Sequence, residues 1–281
     1  MSLISALFFC SLTFADSVVD VAGSAYVLTL TKSGTLYGWG NGPGGQIGKN
    51  GLEVRRPRPL DLGGRVVGVA ANANSSFFVM EDGTVKVLGS GYAGAFASGD
   101  EARYTRFDSH GYGTEVPITI PKLANVVQVA STQNTMAAVR RDGSVAVWGT
   151  NESGLLGFKD SRGASFVTPE IMEMKGLPKI KAICAAVTAF CALDTEGRVW
   201  SWGDNQKGQL GTGAGADSFP EPRRLNIPGQ VRSIGMTPSA GFAVTTEGLV
   251  WRWGSNAWGM VAAGNDEELV LRTPTKLAAV T

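Results

Sequence analysis

The stretch that decides the fold is residues 196–203, which read EGRVWSWG. The Glu-Gly dipeptide supplies the positive φ that a tight β-hairpin turn needs. After it, the side chains alternate with the period of two that is typical of a β-strand, and a tryptophan stands just before a closing glycine. The stretch therefore predicts a turn followed by a short strand that carries a large ring.

Four further copies of this pattern occur along the chain. They are SGTLYGWG at 33–40, DGTVKVLG at 82–89, DGSVAVWG at 142–149 and EGLVWRWG at 247–254. The turn glycines lie 49, 60, 54 and 51 residues apart. Such regular spacing indicates a repeated supersecondary unit rather than five unrelated hairpins.

Each copy is preceded by two short apolar segments and followed by a glycine-rich loop and a proline-led segment, so that each unit contains four short strands. A sheet of four short strands cannot bury both of its faces, and neighbouring sheets must therefore stack around an axis. We predict an all-β fold, a β-propeller of four-stranded antiparallel blades with five repeats. The repeats occupy residues 18–281, which we expect to form a single domain.

Composition and motifs exclude several functions. The formal charge is +1, and Lys/Arg runs do not exceed pairs, so direct nucleic-acid binding is not expected. The cysteines Cys10, Cys184 and Cys191 lack metal-ligand spacing, and we interpret the last two as small core residues. With His110 as the single histidine and no phosphate-binding loop, we predict no catalytic residues, no metal site and no cofactor.

Two interpretations of residues 1–17 stay open. The apolar run from Leu3 to Phe14 resembles the core of a signal peptide, although it lacks a positively charged start. Alternatively, Leu12–Phe14 matches a propeller strand and would act as a clasp against the C-terminal strands. The first interpretation implies export, which includes delivery as an effector, and the second an intracellular protein. Twelve residues are too few to span a bilayer.

The repeats resemble a known family. The motif acidic-Gly-x-Val-x-x-Trp-Gly is followed by GQIG at 45–48, GLLG at 154–157 or GQLG at 208–211, and then by a proline. This combination is similar to the regulator of chromosome condensation repeat family over residues 18–281. The resemblance implies a β-propeller, usually of seven blades, whose founding member is a guanine-nucleotide exchange factor for the small GTPase Ran. Other members are interaction modules.

The chain departs from the family pattern at several places. Leu88 replaces the tryptophan of the second copy, and GMVA at 259–262 replaces GQLG in the fifth. Five copies are also fewer than seven. Either the ring closes with fewer blades, or the repeats form an arc or a fragment of a seven-bladed propeller.

The loop of the second repeat is unusually long. From the motif glycine to the following proline, the five spans are 17, 28, 20, 17 and 20 residues. Because arginine and aromatic side chains dominate interface hot spots, and long loops on rigid folds often bind partners, we predict a partner-binding site in this loop. An ordered insertion that packs on its own blade is the alternative. The candidate residues are Arg103, Tyr104, Arg106, Phe107, Asp108, His110 and Tyr112, together with Trp258 in the fifth loop.

These observations lead to two hypotheses about function. The first is a monomeric protein-interaction propeller, most specifically an exchange factor or regulator of a Ran-like small GTPase, as the resemblance implies. It would act by loop insertion beside the nucleotide, which requires differential binding rather than acid or base catalysis. The second is a secreted or surface propeller that binds or inhibits a partner without any GTPase target.

Overall fold

The computed structural model describes residues 16–48, 53–97, 105–107, 111–159, 167–213, 215, 217–262 and 270–277. These residues form five antiparallel sheets that follow one another along the chain, and in four of them the strands pair in sequence order, whereas the second sheet has an additional outer strand. The prediction of an all-β fold built from four-stranded blades is therefore confirmed. Residues 1–15, on which the signal-peptide and clasp interpretations depend, lie outside the described residues.

The strands are numbered in chain order. The first sheet contains β1 (Val18–Gly23), β2 (Tyr26–Thr31), β3 (Leu36–Asn41) and β4 (Glu53–Leu60). The second contains β5 (Val66–Ala71), β6 (Ser75–Met80), β7 (Val85–Ser90), β8 (Thr105–Phe107) and β9 (Gly111–Thr119). The third contains β10 (Val126–Ser131), β11 (Thr135–Arg140), β12 (Val145–Thr150) and β13 (Val167–Glu173).

The last two sheets repeat this arrangement. The fourth contains β14 (Ile180–Ala185), β15 (Ala189–Asp194), β16 (Val199–Asp204) and β17 (Ser218–Arg224). The fifth contains β18 (Val231–Met236), β19 (Ala240–Thr245), β20 (Val250–Ser255) and β21 (Val270–Lys276). Short 3₁₀ helices at Tyr92–Gly94, Glu152–Gly154 and Ala257–Gly259 follow β7, β12 and β20. Within the described ranges, no helix is long and apolar enough to cross a lipid bilayer.

The motif turns, which are acidic-glycine in four sheets and Ser33-Gly34 in the first, connect the second and third strands of each sheet as predicted. Gly197 has a φ of +82° and its N–H donates to the carbonyl of Asp194. Side-chain caps differ among the turns. Asp82 and Asp142 accept the N–H of Thr84 and Ser144, two residues further on, whereas in the fourth turn Asp194 accepts the N–H groups of Glu196 and Arg198.

Tryptophan side chains fill the space between neighbouring sheets. Trp148, Trp202 and Trp253 are completely buried, and each indole N–H donates to a loop carbonyl of the preceding sheet. The three N···O distances are 3.1 Å to Ala95, 3.0 Å to Leu155 and 2.8 Å to Gln209. These rings are packing residues, because each combines a large buried surface with a satisfied polar group. Trp39 of the first sheet is only half-buried.

The first strands of the sheets lie innermost and pack on one another in the order β1, β5, β10, β14 and β18. Side chains also connect them. Asp20 Oδ2 accepts the N–H of Val69 at 3.1 Å, and the Gln128 amide exchanges two 2.9 Å bonds with the backbone of Ile183. Between the described strands of the fifth and first sheets there is no comparable packing. The described sheets therefore form an arc rather than a closed ring of five.

Candidate functional site

The connections between the third and fourth strands all leave the same end of the sheets. In the first sheet the β1–β2 turn bonds to the start of this connection, from Asn41 N–H to the Ala25 carbonyl at 3.0 Å. Equivalent bonds, from Ser90 to Asn74 and from Ser255 to Ser239, occur in the second and fifth sheets. We call this end the loop face and the opposite end, with the acidic-glycine turns, the turn face. Both candidate binding segments therefore emerge on the loop face.

The long second loop contains a β-hairpin that extends its own sheet. Strand β8 pairs antiparallel with the first part of β9, with Thr105 opposite Gly113 and Phe107 opposite Gly111. The second sheet consequently has five strands in the order β5-β6-β7-β9-β8. The described part of the loop therefore pairs with its own blade, as the alternative of an ordered insertion predicts, and the partner-binding role stays a prediction. A paired hairpin also covers part of the outer edge of β9.

The structure places some of the predicted site residues and not others. Arg106 and Phe107 lie in β8, and Tyr112 lies in β9 opposite Arg106. Trp258 lies in the 3₁₀ helix that follows β20 in the fifth sheet. The hairpin and Trp258 thus share the loop face but have the third and fourth sheets between them. Arg103, Tyr104, Asp108 and His110 lie outside the described residues.

Two exposed side chains that were not predicted flank the hairpin. Tyr92 is 56% exposed at the start of the loop, where its N–H donates to Ser90 Oγ at 3.1 Å. Val116 is 70% exposed in β9, just beyond the hairpin pairing. The sequence could have indicated Tyr92, because it is an aromatic residue that closely follows the motif strand in the lengthened loop. Together they add apolar surface beside the insertion, of the kind that partner proteins cover.

The turn face carries a second repeated feature that sequence reasoning missed. Each innermost strand contains a β-bulge at its second residue, where the pairing register shifts. A bulge re-aims the side chain of the extra residue. All five of these side chains are exposed, and around the arc they are Val19, Val67, Val127, Lys181 and Arg232.

The carboxylate of Asp194 in the fourth sheet has a structural role. Asp194 is completely buried, and its carboxylate accepts the Arg198 Nε–H at 2.7 Å and the Trp200 Nε1–H at 3.0 Å. Burial alone would raise the pKa of Asp194, but the hydrogen bonds from Trp200 and Arg198 and the Arg198 charge outweigh it and lower the pKa. In the part of the chain that the structure describes, no three His, Cys, Asp or Glu side chains group as metal ligands would.

Sequence comparison identifies the repeat. Two family models, both described as Regulator of chromosome condensation (RCC1) repeat, match residues 196–243 and 180–209. The chain belongs to the regulator of chromosome condensation repeat family. These matches cover the fourth sheet and the start of the fifth, and the first and third sheets have the same strand order as the fourth. The family suggested by the repeated motif is confirmed.

Similar proteins in the family have different descriptions. The chain is 27% identical over 267 residues to the Arabidopsis thaliana ultraviolet-B receptor UVR8, covering 92% of this chain and 57% of the relative. It is 28% identical over 267 residues to the Homo sapiens RCC1-like G exchanging factor-like protein, covering 88% and 54%. The crystal structure of human WBSCR16 aligns with a TM-score of 0.76 at 27% identity, covering 93% of this chain and 67% of that one. The chain thus spans little more than half the length of these two curated relatives.

Proposed function

We propose that residues 18–281 form a monomeric propeller domain that binds a partner protein through the second-sheet hairpin on the loop face, and that this partner is a Ran-like small GTPase. Similarity to a relative described as a G exchanging factor-like protein supports the choice of partner. The observation that carries the choice of surface is the hairpin itself, because it is the longest insertion and is fixed to a sheet by β8–β9 pairing.

The proposed mechanism is differential binding. A partner GTPase with its nucleotide displaced would contact the hairpin, and the nucleotide-bound form would lose some of those contacts. The hairpin would thereby shift the partner toward the nucleotide-free state, without an acid or base in this chain. A hairpin anchored on a sheet suits this role because little entropy is lost in ordering it on binding. The exposed side chains of Tyr92 and Val116 would extend the contact.

The test is release of fluorescently labelled GDP from a panel of small GTPases, including Ran-like members, with the intact chain as catalyst. We expect accelerated release from a Ran-like GTPase and loss of that acceleration when residues 100–112 are deleted. The matched control is Val127→Ala, which trims an exposed side chain on the turn face and should leave the rate unchanged. Circular dichroism and thermal unfolding of each variant separate loss of contact from loss of fold.

Two outcomes would refute the proposal. If the intact chain accelerates release from none of the GTPases, the exchange role is wrong. If the deletion variant keeps full activity, the hairpin is not the binding element.

A second candidate is a secreted or surface binding propeller with no GTPase target. It is favoured by the apolar run Leu3 to Phe14 and by similarity to a relative described as a receptor rather than an exchange factor. Intact-mass measurement of the protein isolated from its own cells tests the location. A mature chain that starts near Asp16 supports export, and a chain that retains Met1 supports the intracellular alternative.

A further inference from the structure

Two cysteines of the fourth sheet face each other across a pair of strands. Cys184 in β14 lies directly opposite Cys191 in β15. The interpretation as small core residues explains their volume but did not include this pairing. The pairing follows because the two cysteines lie on the two strands of one hairpin. The equivalent pairs in the other sheets contain no cysteine: Ala22–Leu28, Ala70–Phe77, Ala130–Ala137 and Gly235–Phe242. Packing at this position therefore does not require two thiols.

The strand geometry brings the two residues within disulfide range. The Ala186 N–H donates to the Ala189 carbonyl at 2.8 Å, and bonded and non-bonded pairs alternate along antiparallel strands. Cys184 and Cys191 therefore form a hydrogen-bonded pair, for which Cα atoms are about 5.5 Å apart. That separation lies within the disulfide range of roughly 4.4–6.8 Å. The Cβ atoms of such pairs stand wider than disulfides prefer, which makes the bond strained and easily reduced.

The surroundings of the two thiols differ. Cys191 is completely buried, whereas Cys184 is half-buried and packs in the cluster that includes Ile234 and Met236 of the fifth sheet. The hydrogen bond with Cys184, and then burial, raise the pKa of the Cys191 thiol well above its ordinary value. Cys191 is thus shielded from reagents in solution but adjacent to anything that forms on Cys184.

We propose that Cys184 and Cys191 are a reversible oxidation site that forms a cross-strand disulfide with a peroxide oxidant. The Cys184 thiolate attacks one peroxide oxygen, the O–O bond breaks, and the sulfur becomes a sulfenic acid while the other oxygen leaves as water after protonation. The Cys191 sulfur then attacks the Cys184 sulfur, the S–O bond breaks, and a second water leaves with the Cys191 proton. Overall, two thiols lose two hydrogen atoms and hydrogen peroxide is reduced to two waters.

The experiment uses the full chain in a Cys10→Ser background, so that the two facing cysteines are the only thiols. Folded protein is treated with dilute hydrogen peroxide, alkylated, denatured and digested with trypsin without reduction. Both cysteines lie on one tryptic peptide, residues 182–198, because no Lys or Arg occurs between Lys181 and Arg198. We expect that peptide to lose two hydrogen atoms, to resist alkylation, and to recover both thiols after treatment with dithiothreitol.

Single substitutions identify the order of the steps. In the same background, the Cys191→Ala variant should accumulate a sulfenic acid on Cys184 that dimedone traps. In the Cys184→Ala variant, dimedone should label Cys191 more than about tenfold more slowly, because burial limits access to that thiol. Alanine occupies both equivalent positions of the third sheet, so both variants should fold. The proposal is overturned if both thiols stay alkylatable, if Cys184 oxidises to sulfinic acid beside a reduced Cys191, or if two chains become crosslinked.

Discussion

The interface between the first and second sheets differs from the three that follow it. In the later interfaces a buried tryptophan donates its indole N–H to a loop carbonyl of the preceding sheet. In the first interface Leu88 occupies the tryptophan position, and the corresponding loop carbonyl, that of Gln46, accepts the Ser76 hydroxyl at 2.7 Å. The Tyr26 hydroxyl crosses in the other direction to the carbonyls of Asn72 at 3.0 Å and Ser75 at 2.8 Å.

This comparison shows what the repeat must preserve. A buried carbonyl without a hydrogen bond costs about 1–3 kcal/mol, whereas the identity of the donor matters less. Both solutions satisfy the loop carbonyl and fill the space between sheets, one with an indole and the other with Tyr26, Ser76 and Leu88. The tryptophan of the sequence motif is therefore one of at least two ways to join neighbouring sheets.

The largest expected effect is that of Trp202→Ala. The substitution removes a completely buried ring, leaves the Leu155 carbonyl without its donor and opens a cavity between the third and fourth sheets. We expect a loss of about 3–5 kcal/mol in the free energy of unfolding. Urea unfolding followed by circular dichroism measures it.

Trp39→Ala is the matched control for that measurement. Trp39 occupies the same motif position in the first sheet, where it is half-buried and no described sheet precedes it. We expect a clearly smaller loss. Equal losses for the two variants would show that packing between sheets does not account for the tryptophan.

The sequence predicts the repeated part of this architecture well, for local reasons. A turn glycine with positive φ and the alternating strand after it depend on neighbouring residues alone, so the turns at Gly83, Gly143 and Gly197 follow directly from the pattern. The capping side chain does not follow from the pattern in the same way, because in the fourth turn the backbone N–H groups of Glu196 and Arg198 donate to Asp194, which precedes the motif.

Contacts between repeats could not be predicted in this way. Tyr26 and Asn72 are 46 residues apart, and Gln128 and Ile183 are 55 apart, so these pairs follow only from how the sheets stack. The β8–β9 hairpin was also hidden, because the loop is rich in polar and aromatic residues and lacks a repeated counterpart. The sequence consequently placed the candidate site in a loop but did not predict the pairing of β8 with β9.

Tyr26→Phe tests the first interface with a smaller expected effect. The substitution keeps the buried ring but removes the hydroxyl that bonds Asn72 and Ser75, and it leaves Ser76 with one partner fewer. We expect a loss of about 1–3 kcal/mol in the free energy of unfolding. Burial raises the pKa of the Tyr26 hydroxyl far above its ordinary value, so the loss should not vary between pH 6 and about 9.

The control for this variant is Tyr92→Phe, which removes the hydroxyl of an exposed tyrosine and should change the free energy by less than about 0.5 kcal/mol. A Tyr26→Phe protein as stable as the control would mean that the hydroxyl bonds across the first interface contribute nothing.

Asp20→Gln should have the smallest effect and concerns the innermost strands. Asp20 and Gln128 occupy equivalent positions, and both form hydrogen bonds with the following sheet. Asp20 makes only one such bond, in which its carboxylate accepts the Val69 N–H, and it carries a charge, whereas Gln128 makes two. Burial raises the pKa of Asp20 despite the N–H donors of Val69 and Val21. At neutral pH the folded protein therefore holds an ionised carboxylate in a partly buried place, which lowers its stability.

Glutamine should reproduce the two-bond contact of Gln128 without this charge, so we expect Asp20→Gln to be more stable at pH 7 by up to about 1 kcal/mol. Because the pKa of Asp20 is raised in the folded protein, the loss of stability caused by its charge is complete above that pKa. This loss disappears as the pH falls toward 4 and the carboxyl becomes protonated. The advantage of the variant should therefore shrink as the pH falls, in urea unfolding of both proteins between pH 7 and 4. A difference that is independent of pH would mean that the charge on Asp20 does not affect this interface.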